Sequence, residues 1–294
     1  MDTRSSFRSP AVDSIVDTAG RCGELYSEEG VVAVLSAMWT HLWIVLFGKK
    51  WFVHLFWLIQ GRRIVERDGI YVLTDLLGRE RFAFPQFQFH RNARTKRKRT
   101  LETKWFADEY FHCVGPEDTV LEVGGFTGVS TRIAAERGSE VYVLEPSPRN
   151  RRCLERNVRG DTVTVLPYAA GEADTTTTFN IGTMASKDSL GAPKRGSSGQ
   201  SVEVEVRTIE SICAELGIDQ IDFLKLDAEG LEPEVLRGIG DVEVTKMVVS
   251  GSAERDGEFT APDVISLLES EGYETFRSQA FEPYFVHAIR RQHV

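Results

Sequence analysis

The 294 residues predict an α/β fold: a Rossmann-like, doubly wound sheet preceded by a helical and β accessory segment. Three observations carry the prediction. From Thr119 onward, short apolar runs alternate with helical stretches, the pattern of a parallel sheet with crossover helices. The first run is followed by a glycine-rich turn, Gly124-Gly125-Phe126-Thr127-Gly128. The second run, Val141-Tyr142-Val143-Leu144, ends in a carboxylate, Glu145.

Taken in order, residues 1–30 read as a polar tail and residues 31–100 as the accessory segment. Residues 31–47 are apolar apart from Ser36, Thr40 and His41, and a second apolar run covers 51–59, with Lys49 and Lys50 between them. A single membrane span needs about 20 apolar residues, and neither run reaches that length. Trp39, Trp43, Trp51 and Trp57 lie here beside the lysines, the combination a bilayer interface favours. The segment therefore reads either as a membrane-surface attachment through residues 31–60 or as a helical cap packed on protein. Residues 63–66 and 70–73 read as strands around an Asp68-Gly69 hairpin turn. A basic run follows over 91–99, and helical spacing over 100–112 ends at Gly115-Pro116.

The main domain spans 101–294. Its expected strands cover 119–123, 140–145 and 163–166, with helices after the first two. The third strand ends at Pro167-Tyr168-Ala169-Ala170, where small residues leave room for a flat purine, so Ala169 is a candidate backbone contact to adenine. Residues 182–201 read as a long glycine- and serine-rich loop, with Lys187 placed to meet an acidic acceptor, and 202–207 as a strand. Thr208 is a good helix N-cap. Residues 274–278 and 284–289 read as a closing antiparallel pair.

Composition narrows the partners. The net charge is −9, but residues 1–104 carry 17 Lys/Arg against 11 Asp/Glu, and the remainder 18 against 33. An acidic body argues against nucleic acid, whose phosphates need a basic face. Cys22, Cys113, Cys153 and Cys213 are scattered without a C-x-x-C pair, which fits reduced thiols in the cytoplasm. No secretory signal is expected in the first twenty residues. The expected location is the cytoplasm, at the inner membrane face if residues 31–60 attach there.

The glycine turn and the two acids define the ligand. Parallel α/β sheets bind nucleotides at the carboxyl ends of their strands, and Glu145 at such an end can accept both hydroxyls of a ribose. A dinucleotide site carries G-x-G-x-x-G; here no third glycine is correctly spaced, which disfavours an oxidoreductase. Glu122, two residues before Gly124, suits a ligand with a cationic amino-acid end. S-adenosylmethionine has one and NAD lacks it. A further dense segment, Lys225-Leu226-Asp227-Ala228-Glu229-Gly230-Leu231-Glu232, puts a lysine and three acids at another strand's carboxyl end, costly unless the charges pair or do chemistry.

These segments, with V-L-E-V-G-G-F-T-G-V-S-T, V-L-E-P-S-P-R-N and I-D-F-L-K-L-D-A-E-G-L-E-P-E-V-L-R-G, resemble the FkbM-type S-adenosylmethionine-dependent methyltransferases over about Leu101 to Gly240. The resemblance implies the class I methyltransferase type of sheet. It implies O-methyl transfer to hydroxyls of sugars, glycolipids or polyketides. Glu122, Gly124, Gly125, Gly128 and Glu145 would hold the cofactor, while Lys225, Asp227, Glu229 and Glu232 would lie beside the methyl-transfer site. The first motif departs from the family's D-V-G-A-N-x-G: Glu122 replaces the aspartate, and Phe126 stands where the asparagine would. The strand over 246–249 is followed by Glu254 rather than a glutamate and histidine, so no histidine base is expected there.

An aliphatic hydroxyl needs its proton removed as the new bond forms. Asp227 or Glu229 is the expected base, Lys225 the residue orienting them, and Glu232 with Lys187 the acceptor contacts. Closely spaced carboxylates are compatible with a hard divalent cation, but no metal is predicted. The expected acceptor is a saccharide or lipid-linked glycan. A small metabolite or protein acceptor, or a non-catalytic membrane-surface adaptor, is the alternative.

Overall fold

The computed structural model describes residues 58, 61–85, 114–137, 139–158, 160, 162–182, 188–190, 197–253, 255, 257–277 and 284–291. The apolar runs over 31–59 apart from Leu58, the basic run 91–99, the helix expected over 100–112, Lys187, Glu254, Cys22 and Cys113 lie outside the described residues. The chain divides into two units, residues 1–63 with 88–93 and residues 64–87 with 94–294. Among the described residues, no helix is long and apolar enough to cross a membrane.

Among the described residues three strands come first: β1 (Arg62–Arg67), β2 (Ile70–Asp75) and β3 (Glu80–Phe84), side by side in that order. The predicted Asp68-Gly69 turn joins β1 to β2, and both residues are left-handed (φ 52° and 74°), as a tight primed hairpin turn requires. One face of this sheet, through Ile70, Val72 and Ala83, buries itself on Cys153.

The main sheet holds seven strands in the order β13-β14-β12-β11-β4-β5-β6. They are β4 (Thr119–Val123), β5 (Glu140–Leu144), β6 (Val163–Leu166), β11 (Gln220–Leu226), β12 (Glu243–Ser250), β13 (Tyr273–Arg277) and β14 (Phe285–Arg290). Pairings from β6 through β12 are parallel, and β14 runs antiparallel to both β12 and β13. This is the doubly wound arrangement the sequence predicts, including the closing antiparallel pair. Among the described residues five helices accompany it: α1 (Val129–Glu136), α2 (Pro148–Asn157), α3 (Ile209–Leu216), α4 (Glu232–Arg237) and α5 (Ala261–Ser270). Thr208 caps α3, its side chain accepting from the Ser211 N–H at 3.0 Å.

The strands are apolar on both faces because both are covered. Leu121, Leu144, Leu224 and Leu226 pack with α3, α4 and α5, while Val120, Phe223 and Val248 pack with Ile133 and Ala134 of α1. Each such fully buried side chain contributes about 1.5–3 kcal/mol.

The loop expected over 182–201 holds strand residues at 189–190 and from 197 onward. The strands here are β8 (Thr175–Gly182), β9 (Ser189–Leu190) and β10 (Ser197–Arg207), which join β7 (Ala169–Ala170) in a second sheet, order β7-β10-β8-β9. The strand expected over 202–207 begins five residues earlier. The run of four threonines in β8 offers no apolar alternation, but β-branched residues suit an extended ladder, and β10 pairs with β8 from Gly182 to Thr175.

Candidate active site

Three strand tips meet at the carboxyl end of the main sheet. The turn after β4 is clamped to β5: the Gly124 and Gly125 N–H groups both donate to the Leu144 carbonyl, at 3.0 and 3.1 Å. Gly124 has φ 83°, and a Cβ there would lie 2.2 Å from the Asp227 carbonyl oxygen. Only glycine lets the tips of β4 and β11 touch. A Cβ on Gly125 would meet Val143 and Leu154 at 2.3 and 2.5 Å, so this glycine serves the packing of α2 on β5. Gly128 precedes α1. Phe126, between them, is itself left-handed at φ 50°, a conformation that costs a side-chain-bearing residue roughly 1–2 kcal/mol. Its N–H donates to Glu145 Oε2 at 2.7 Å, which holds the turn in that shape.

Glu122 is fully buried and turns inward. Thr131 Oγ1 donates to it at 2.6 Å, the Ser130 hydroxyl donates as well, and Lys225 Nζ lies 3.1 Å away. Glu122 and Lys225 are partners in the β4–β11 register, so the ladder itself aligns the ion pair. Lys225 Nζ also donates to the Gly124 carbonyl at 2.9 Å. Burial works to lower the Lys225 pKa, but the carboxylates of Glu122 and Asp227 outweigh it and hold the ammonium above its ordinary value. The direct roles expected of Glu122 with the ligand and of Lys225 in catalysis therefore give way to a shared one. Together they brace the turn from beneath, with their polar atoms already engaged by protein.

Glu145 keeps its predicted place. Oε2 accepts from Phe126 and Oε1 from the Ser147 N–H at 2.9 Å. Burial pushes its carboxyl up to about 7 from 4.5; the two backbone N–H groups and the Asn150 amide pull the other way, and Asp188 adds to the rise. A carboxylate with about four acceptor sites is thus desolvated beyond what its donors compensate. A vicinal diol carries two O–H donors of the kind such acceptor sites take. The charged form is disfavoured in the folded chain, so Glu145 favours folding most below pH 4.5. That contribution, on the order of 3 kcal/mol, is lost as the pH rises from 4.5 to about 7. For a ribose seated on Glu145, affinity is expected to run the opposite way, rising with pH up to about 7 and then levelling. Calorimetric titration with S-adenosylmethionine between pH 5.5 and 8.5 checks this, with Glu145→Gln expected to flatten the profile.

The segment after β11 forms the third wall. The Asp227 N–H donates to the Val123 carbonyl at 3.1 Å, and Asp227 and Glu229 are both half-buried. Glu229 is left-handed at φ 54°. Glu232 is the residue that shapes this loop. Its Oε1 accepts from the N–H groups of Ala228 and Gly230 at 3.0 and 2.9 Å, and its Oε2 accepts from Thr260 Oγ1 at 2.8 Å. Burial raises its pKa. With no exposed surface, Glu232 is not available as the acceptor contact the sequence suggested; it folds the Asp227–Gly230 loop and ties it to the start of α5. Ala169 pairs with Val206 in β7 and is buried with Phe179 and Val204, so the packed-strand reading describes it better than an adenine contact.

Residues other than those predicted from the sequence adjoin these strand tips. Asn157, at the end of α2, donates to the Thr127 and Ala83 carbonyls, both at 2.8 Å, and accepts from the Ala83 N–H at 2.6 Å. An amide thus reaches the glycine turn from α2, where the turn's own sequence has Phe126. Ser147, Arg149 and Asp188 cluster beside Glu145. Among the described residues no group of His, Cys, Asp and Glu is arranged to hold a metal ion. A separate cleft of about 510 Å³ lies at the opposite edge, between β3 and the ends of α1 and α2. Its Arg132 and Arg156 pair with Glu136 and Glu80, and Asn157, which also lines it, links it to the glycine turn.

The sheet order, with β14 antiparallel between β12 and β13, is that of the class I methyltransferase fold. Residues 119–275 match the model of the methyltransferase FkbM domain, and the chain belongs to that family. It is similar to the methyltransferase sdnD of Sordaria araneosa, 31% identical over 99 residues. That match covers 30% of this chain, which spans 38% of the relative's length. Among solved structures it is similar to the fibrillarin pre-rRNA processing protein of Methanococcus jannaschii (12% identity, TM-score 0.42, covering 78% of this chain and 96% of that one). Another is magnesium protoporphyrin IX methyltransferase of Synechocystis PCC 6803 with bound SAM (13%, 0.40, 66% and 79%).

Proposed function

We propose that this chain moves a methyl group from S-adenosylmethionine to a hydroxyl of a saccharide or lipid-linked glycan. The observation that carries the reading is the meeting of two acidic strand tips at one glycine: Glu145 beyond β5 and Asp227 beyond β11 flank the turn that starts at Gly124. When bound, S-adenosylmethionine supplies an electrophilic methyl on a sulfonium. Glu145 holds the ribose diol. Gly124, with Glu122 and Lys225 braced beneath it, fixes the turn. Asp227 accepts the hydroxyl proton, and its own main chain is pinned to Val123 so that the carboxylate is positioned before the acceptor arrives. Glu229, two residues on and half-buried, would take a second hydroxyl, which suits a polyol better than a lone alcohol. The FkbM membership supports an oxygen acceptor. Lys187 stays a candidate contact to an acidic acceptor, and residues 31–60 a candidate membrane contact.

The test is incubation of the full chain and S-adenosylmethionine with free glycans, lipid-linked glycans, small polyols and protein fractions. A gain of one methyl increment in a glycan fraction supports the reading. Gain confined to protein or a small metabolite replaces the acceptor, and no transfer to any fraction despite cofactor binding favours the adaptor.

A further inference from the structure

Asp188 is 41 residues from Ser147 in sequence, and nothing in the motifs points to it. Its side chain is buried, 6% exposed for the residue, and is held from three sides. Ser147 Oγ donates to it at 2.6 Å, the Gly182 N–H at 2.8 Å, and Arg149 through both Nε at 3.1 Å and Nη2. Arg149 also donates to the Gly182 carbonyl at 2.8 Å. Ser147 precedes α2, and its own N–H is one of the two backbone donors on Glu145. One carboxylate therefore locks the β8–β9 end of the second sheet to the residue that orients the ribose acceptor.

We infer that Asp188 is a positioning residue of the cofactor site: through Ser147 and Arg149 it sets the geometry and charge of the Glu145 carboxylate, making the β8–β9 hairpin part of the nucleoside-binding machinery. This rests on Glu145 receiving the ribose. A buried ion pair was not needed merely to close the hairpin, since β8 and β9 already pair at Phe179–Leu190 and Asn180–Ser189. The charged and titratable groups around Glu145 are Asp188 from the hairpin, Arg149, Arg151 and Cys153 from α2, and Lys225 from β11. Of these, Asp188 is the anion that adds to the rise in the Glu145 pKa.

The experiment is S-adenosylmethionine affinity of the full chain by calorimetry at half-unit steps from pH 5.5 to 8.5, which gives the pH midpoint of binding, with the melting midpoint as a control on folding. Asp188→Asn removes the anion and one fixed acceptor. At pH 8, where Glu145 is ionised in both proteins, it is expected to weaken binding about tenfold, the scale of leaving buried donors without their acceptor. At pH 6 the gap narrows, because Glu145 in the variant ionises at lower pH. Arg149→Gln leaves Asp188 without its cation and moves the pH midpoint upward, and it stands as the readout if Asp188→Asn does not fold. Opposite midpoint shifts in the two variants support the inference. Wild-type affinity, an equal loss at pH 6 and pH 8, or an unmoved midpoint in Arg149→Gln overturns it. Glu145→Gln runs alongside: if that variant binds as the wild type does, the ribose assignment itself fails, whatever Asp188 does.

Discussion

Asp227→Asn is expected to lower methyl transfer by about two to four orders of magnitude while leaving cofactor affinity within a factor of about three. The substitution is nearly isosteric, and the backbone at this position is fixed independently of the side chain. Its N–H bonds to Val123, and its carbonyl lies where a Cβ on Gly124 would be. The loop shape comes from Glu232, which this change does not touch. What disappears is the proton acceptor. Single-turnover rates at saturating cofactor, with calorimetric affinity measured in parallel, read the two effects separately. Unchanged turnover would remove Asp227 as the base and leave Glu229 as the next carboxylate to test.

The second large effect is on stability. Lys225→Met is expected to cost about 3–5 kcal/mol, because it leaves Glu122 charged and fully buried without its cation. Glu122→Gln added to it should recover most of that loss, since the glutamine oxygen accepts from one of the Ser130 and Thr131 hydroxyls, its amide nitrogen donates to the other, and no charge is left to strand. Denaturant unfolding of both single variants and the double variant closes the cycle. Strong positive coupling is predicted. Additive losses would mean that the pair acts as two independent polar groups, and that the turn is braced by packing alone.

Most of the fold could be read from the chain because buried parallel strands leave short apolar runs, and these fell at β4, β5, β6 and β11. The hairpin at Asp68-Gly69 and the helix start at Thr208 were equally plain, each being a local signal with a local cause. The second sheet was not. Thr175–Gly182 has neither alternation nor an apolar run, and glycine and serine near the start of β10 look like a loop until the partner strand is known. In the site, positions were legible and roles were not. Glu122, Lys225 and Glu232 stood out because charges at strand ends are costly, yet the sequence cannot tell a charge that meets a ligand from one that meets another buried charge. The β4–β11 register decides that for Glu122 and Lys225, and Thr260 helps decide it for Glu232. Asp188 and Asn157 carry no such mark, since each acts by reaching an element distant in sequence.

The central claim is that the crevice between the tips of β4, β5 and β11 binds an adenosyl ligand through Glu145. A crystal structure of the full chain with S-adenosylhomocysteine tests it most directly. The account predicts both ribose hydroxyls on the Glu145 carboxylate and the sulfur end facing Asp227. Adenosine seated elsewhere, or a ribose held with Glu145 turned away from it, would contradict it.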